Sequence, residues 1–237
     1  MDDWLLVVLL TWMAGLAMPV GGLFACWEKI QPAWLEDEFR HTVIAFGGGA
    51  LLSAVALVLI PEGSEVLTVG PVSVLFLLGG LTFLGLDVLM DRFRSSTSQL
   101  LAMMSDFVPE AISLGAAFAA GKPVGMLLAG LIAIQNLPEG FNSFREMTSS
   151  GKISARKVLV AFALLSLMGP ISGLVGFFYL AQFPQLVAGI MVFAAGGILY
   201  LVFQDIAPQA KLRNRFSPAM GAILGFLLGL VGKMLID

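Results

Sequence analysis

The chain carries one cysteine and one histidine in 237 residues, and only 12% of it is charged. A lone Cys26 excludes an internal disulfide, and a lone His41 excludes any motif that pairs histidines on a metal. Both read most simply as ordinary residues, Cys26 in packing and His41 at an interface. No Ser-His pairing and no metalloprotease motif occurs, so the sequence predicts no enzyme. Charge is also too sparse to solvate a globule in which 58% of residues are hydrophobic and the mean hydropathy is +0.94. Such a chain needs a bilayer as its solvent.

What is present in quantity is long apolar runs, each near the roughly 20 residues that cross about 30 Å of hydrocarbon as a helix. Barrel-type alternation is missing. Backbone groups facing lipid must be satisfied within their own segment, so runs of this length predict helices. The expected spans are Trp4 to Trp27, Thr42 to Ile60, Pro71 to Met90, Leu100 to Ala120, Pro123 to Phe144, Val158 to Leu180, Leu186 to Ile206 and Phe216 to Met234. The predicted fold class is therefore an all-α integral membrane protein of eight transmembrane helices, a single transmembrane domain over residues 1–237. The first span follows Met1-Asp2-Asp3 with no basic stretch and exceeds a signal-peptide core in length, so it is expected to be retained.

Basic residues fall on alternate loops. Lys29 and Arg40, Arg92 and Arg94, then Arg145, Lys152, Arg156 and Lys157, then Lys211, Arg213 and Arg215 account for eleven of the thirteen; the intervening loops hold Lys122, and Lys233 lies near the C-terminus. The positive-inside rule then predicts both termini outside the cytoplasm, with the cell membrane as the expected location. No loop is long enough for a soluble domain, so any ligand is expected among the helices.

Two spans share a pattern. Phe46-Gly47-Gly48-Gly49-Ala50-Leu51-Leu52 precedes Pro61, and Phe193-Ala194-Ala195-Gly196-Gly197-Ile198-Leu199 precedes Pro208 at the same interval. Loop charges make these spans antiparallel, which predicts an inverted repeat in a 3+2+3 order with spans four and five at the centre, a transporter's architecture. Chance likeness between two Gly-rich apolar helices is the competing account. Gly221, Gly225 and Gly229 form a small-residue face on the last span, which reads as helix packing.

The central spans carry acids where acids are costly. Span four reads Ser105-Asp106-Phe107-Val108-Pro109-Glu110, and span five reads Gln135-Asn136-Leu137-Pro138-Glu139-Gly140. Ionisable residues at such depth face the protein interior and mark a pathway by default. Asp106 and Glu110 are four apart, as are Gln135 and Glu139, so each helix projects two oxygen-bearing side chains from one face. Counted from the predicted cytoplasmic ends, Asp106 and Glu110 lie about six to ten residues in and Glu139 and Gln135 about five to nine, so all four can meet at one level. Each proline frees the carbonyl four residues earlier, at Ser105 and Ile134, to line a wet cavity or bind a cation. No cationic side chain within the spans neutralises three carboxylates, and a bound divalent cation does. Protonation is the competing answer, because carboxyl groups taken out of water favour their neutral form. A purely structural pair of hydrogen-bonded acids is a third.

At these residues the sequence resembles the ZIP family of divalent metal transporters, whose fourth and fifth helices carry motifs like His-Asn-x-Pro-Glu-Gly. The likeness runs over essentially the whole chain, and the Pro-Glu of each central helix is its most specific part. It implies eight helices in a 3+2+3 order, frequent homodimers, and transport of zinc, iron, manganese or a related ion toward the cytoplasm. The metal is then a transported substrate, with no permanent cofactor and no nucleic-acid partner. Carried over by position, the metal ligands are Asp106, where a His is common, Glu110, Gln135 and Glu139. For an adjacent second site the resemblance offers Asn136, but Phe107 stands where Asn is common and Gly169 where many members have Glu. The family's His-rich loop is also missing from Asp91 to Gln99. An all-oxygen set suits harder cations such as Mn, Mg or Fe(II) and does not exclude Zn, which accepts carboxylates. Two other expectations are carried alongside: a proton-coupled carrier of another substrate, and a non-transporting metal-binding membrane protein on the same fold.

Overall fold

The computed structural model describes residues 2–28, 33–93, 96–121, 124–149, 151, 153–212 and 215–236. Met1, Lys29, Arg94, Lys122, Pro123, Lys152 and Arg213, named above, lie outside the described residues, as do the side chains of Met90, Asp91, Arg92 and Gln99. Eight helices long and apolar enough to cross a membrane are present: α1 (Asp3–Trp27), α2 (Glu36–Val66), α3 (Val69–Leu89), α4 (Leu100–Ala119), α5 (Val124–Ser149), α6 (Ala155–Leu180), α7 (Pro184–Ala210) and α8 (Ser217–Ile236). No strand occurs among the described residues. This is an all-α integral membrane protein, as expected. Leu77 and Leu81 of α3 and Leu227 and Leu228 of α8 are exposed, which suits helices whose outer faces meet lipid.

Helices α2 and α7 are longer than the expected spans because neither Pro61 nor Pro208 ends its helix. A proline gives no N–H and its ring clashes with the carbonyl four residues earlier. Both helices take a π turn just before the proline, Val55–Leu59 in α2 and Val202–Ile206 in α7. Ile60 N–H then bonds the Val55 carbonyl and Ala207 N–H the Val202 carbonyl, one residue further back than in an α-helix. The widened turn makes room for the ring, and the helix runs on. The two π turns occupy matching places in the Phe46 and Phe193 patterns.

Helices cross where glycines let backbones touch. A Cβ at Gly49 would collide with the Ala222 carbonyl and one at Gly225 with the Phe46 carbonyl, fixing α2 against α8. Gly196 and Gly79 stand in the same relation to the Phe76 and Phe193 carbonyls, fixing α7 against α3. A second set joins α1 to α5 through Gly21 and Gly140, and α6 to α4 through Gly176 and Gly115. Exchanging helices one, two, three and four for six, seven, eight and five maps each set onto itself. Gly221 and Gly229 also face α2, against Thr42 and Ser53, so the small-residue face of the last span is a packing face.

Because carbonyl oxygen and Cβ would have to share one place, Gly196→Ala should destabilise the protein by about 1–3 kcal/mol, the usual cost of overpacking. Thermal unfolding in detergent, followed by tryptophan fluorescence, should show a lower midpoint. An unchanged midpoint would mean that α3 and α7 do not meet through this glycine.

Candidate metal centre

Both motifs sit inside unbroken helix, Pro109 within α4 and Pro138 within α5. Gly47 of α2 lies against the Pro138 ring, so the proline turn of α5 is held where α2 can approach it closely. Asp106, Glu110, Gln135 and Asn136 are all buried, with relative exposures of 3%, 1%, 2% and 1%. Glu139 is half-buried and is the most accessible of the five.

The structure brings the two helices together through an amide and a carboxylate. Gln135 Nε2 donates to Glu110 Oε1 at 2.8 Å and to Oε2 at 2.7 Å, spanning both carboxylate oxygens. Asp106 Oδ1 accepts from the Phe107 N–H at 2.9 Å. Glu139 lies within electrostatic range of Asp106 and Glu110. Asn136 turns to α1, where its Nδ2 donates to the Ala14 carbonyl at 3.0 Å. Two buried oxygens, Gln135 Oε1 and Asn136 Oδ1, have no hydrogen-bond partner. Buried polar atoms are nearly always satisfied, so two orphan acceptors on consecutive residues mark a place built for something that donates or carries positive charge. Among the described residues, no three Asp, Glu, His or Cys side chains converge as a ready-made metal cage. In this state Glu110 is capped by an amide instead.

A cavity of about 1230 Å³ opens one helical turn beyond Glu139, where Asn142 lines its wall. Asn142 Nδ2 donates to Gln209 Oε1 at 2.9 Å, tying α5 to α7 inside it. Arg145 crosses the cavity edge to Glu28 at the end of α1, at 2.6 Å, and to Glu36 at the start of α2. Asp205, in the π turn of α7, lies within electrostatic range of Asp87 and Glu146. His41 also lines this cavity, and its Nδ1 pairs with the Asp37 carbonyl at 2.5 Å. Free Cys26 is exposed.

Glu36-Asp37-Glu38, although three acids in a row suit a loop, lies in helix at the start of α2, with Glu36 on Arg145 and Glu38 accepting from Ser217 Oγ at 2.5 Å and pairing with Arg215 at 3.5 Å. Glu62, just after Pro61, also lies in helix. Tyr200 Oη donates to Asp87 at 2.9 Å, joining α3 and α7. In the sequence Arg145 bears only on orientation, and the signal for Asn142 is its spacing of three from Glu139, on the same helical face.

Fold and side chains together define a polytopic membrane protein with acidic residues buried between α4 and α5 and a polar cavity one helical turn beyond Glu139. Three curated relatives match the chain, and each carries the name zinc transporter. ZupT of Chlorobium phaeovibrioides is 24% identical over 250 aligned positions, covering 89% of this chain and 90% of that protein. GufA of Myxococcus xanthus is 30% identical over 146 positions, covering 60% of this chain and 57% of that protein. The zipt-7.2 protein of Caenorhabditis elegans is 24% identical over 148 positions, covering 59% and 32%. No family model matches the chain. The chain resembles the ZIP-family transporters at modest identity, and its relatives are named for transport and not for an enzymatic reaction.

Proposed function

We propose that this protein transports a divalent metal cation across the bilayer toward the cytoplasm, through a site between α4 and α5 formed by Asp106, Glu110, Gln135 and Glu139 with Asn136 beside them. The whole chain acts as one transport unit, in a 3+2+3 inverted repeat. The observation that carries the reading is the pair of hydrogen bonds from Gln135 Nε2 to both oxygens of Glu110, which joins the two motifs at one buried point. Between Arg94 and Arg145 the sequence holds a single basic residue, Lys122, and Arg145, near the C-terminal end of α5, is engaged by Glu28 and Glu36, so neither α4 nor α5 supplies a cationic side chain to the carboxylates. A divalent cation supplies the missing charge. Its arrival displaces the amide N–H groups from Glu110, and half a turn of the Gln135 amide presents Oε1, now without a partner, as a ligand.

The zinc-transporter names of the relatives support a metal cargo, with zinc, iron and manganese all compatible with oxygen ligands. The reciprocal glycine contacts and the matched π turns support the inverted repeat. Purified protein in liposomes loaded with a metal-sensing dye should take up zinc or manganese added outside, and liposomes loaded with a pH indicator in place of that dye would reveal a proton carrier instead. Liposomes that bind metal on the protein yet accumulate none would overturn transport and leave a binding protein.

Direction and orientation are tested together. With Cys26→Ser as background, cysteines at Ser64 and Ser149, both exposed, should label oppositely in intact cells. An impermeant thiol reagent is expected to modify position 64 and spare position 149. The reverse pattern would invert the topology and the proposed direction.

A further inference from the structure

Beside the candidate ligands stands a large apolar side chain in an improbable place. Phe107 follows Asp106 directly and is 1% exposed. Its Cζ lies 2.9 Å from where a Cβ on Gly15 would be and 2.8 Å from one on Gly169. The tip of the ring is therefore seated between α1 and α6, in a slot that exists because both positions lack a side chain. At Gly169 the Thr11 carbonyl oxygen closes the same space from the α1 side, at 2.5 Å from that Cβ position.

Asn136 reaches this turn of α1 from α5, donating to the carbonyl of Ala14, the residue before Gly15. Its other amide atom, Oδ1, is buried and unpartnered. An oxygen ligand is thus in place at Ala14, one residue along α1 from Gly15, where the tip of the ring is seated. A divalent ion needs several oxygen ligands within about 2.0 to 2.6 Å, and a phenyl ring offers none while excluding water.

We propose that Phe107 is the residue that limits the centre to one cation, its ring filling the space in which a second ion would be held beside Asn136. The inference rests on reading the central carboxylates as the metal site. Gly15 and Gly169 are then part of the specificity device, since a side chain at either would expel the ring. Replacing the ring by a short polar group opens a buried space next to Asn136 Oδ1 and adds a further oxygen.

Bound metal can be counted by elemental analysis of purified protein after equilibrium dialysis against zinc alone. Wild type should retain one equivalent per chain, and Phe107→Asn should retain a second. Asn136→Ala added to Phe107→Asn should remove that second equivalent, whereas Phe107→Leu, still an apolar filler, should hold one. Two equivalents on wild type would overturn the role of Phe107 while leaving the central site intact. A folded Phe107→Asn that stays at one equivalent would do the same. No metal on wild type would overturn the site reading and this inference with it. Where Phe107→Asn fails to fold, the wild-type count and a Phe107→Ser variant decide.

Discussion

Glu139→Ala should bring metal uptake by reconstituted protein down to that of protein-free liposomes. Glu139 is the most accessible of the candidate carboxylates, lies within electrostatic range of both Asp106 and Glu110, and stands one turn from Asn142 in the cavity wall. In the proposed path an ion moving between centre and cavity would meet it on the way. Loss of groups that only support a metal ligand costs about 10–100-fold in affinity or activity, so loss of a ligand in a site with three carboxylates should cost more than that. The variant should fold, because a half-buried Glu replaced by Ala leaves no buried donor without an acceptor. Uptake equal to wild type, at equal reconstituted protein and an unchanged thermal midpoint, would sink the proposed site.

The second large effect is on the choice of metal. In the proposed centre, where Glu110, Gln135 and Glu139 would be the other donors, Asp106→His exchanges a charged oxygen ligand for an imidazole. Softness then favours zinc, while the loss of one negative charge weakens manganese and magnesium, which lean more heavily on charge. The order of the first-row metals already favours zinc in most sites, so the informative quantity is the zinc-to-manganese affinity ratio of the variant divided by that of wild type. It should rise by about 10-fold or more, roughly 1.4 kcal/mol of preference. Competition binding on both forms measures it. A ratio that is unchanged, or moves toward manganese, would mean that Asp106 does not touch the ion.

Much of the fold is legible in the chain because a bilayer makes one demand everywhere along it. Apolar runs must close their own backbone hydrogen bonds, so length and hydropathy together place eight helices within a few residues of where they lie. The misjudged ends have local causes. Pro61 and Pro208 look like helix stops, but a π turn before each lets the ring pass, and nothing in the residues alone announces that register change. Glu36-Asp37-Glu38 looks like loop because three acids in a row solvate well. Its helical state depends on Arg145, more than a hundred residues away, and on Arg215 and Ser217 further still.

For the candidate site, the sequence alone determined which residues are out of place. Asp106, Glu110, Gln135 and Glu139 stand four apart in apolar helices, and their cost in hydrocarbon makes them conspicuous whatever the fold. Which of them meet was decided only in three dimensions. Gln135 caps Glu110 because α4 and α5 lie side by side, Asn136 turns away to Ala14 because α1 crosses α5 through Gly21 and Gly140, and Phe107 fills the slot left by Gly15 and Gly169. Each of these depends on how closely two backbones approach. That distance is set by small residues on both partners at once, which a single chain read along its length does not pair.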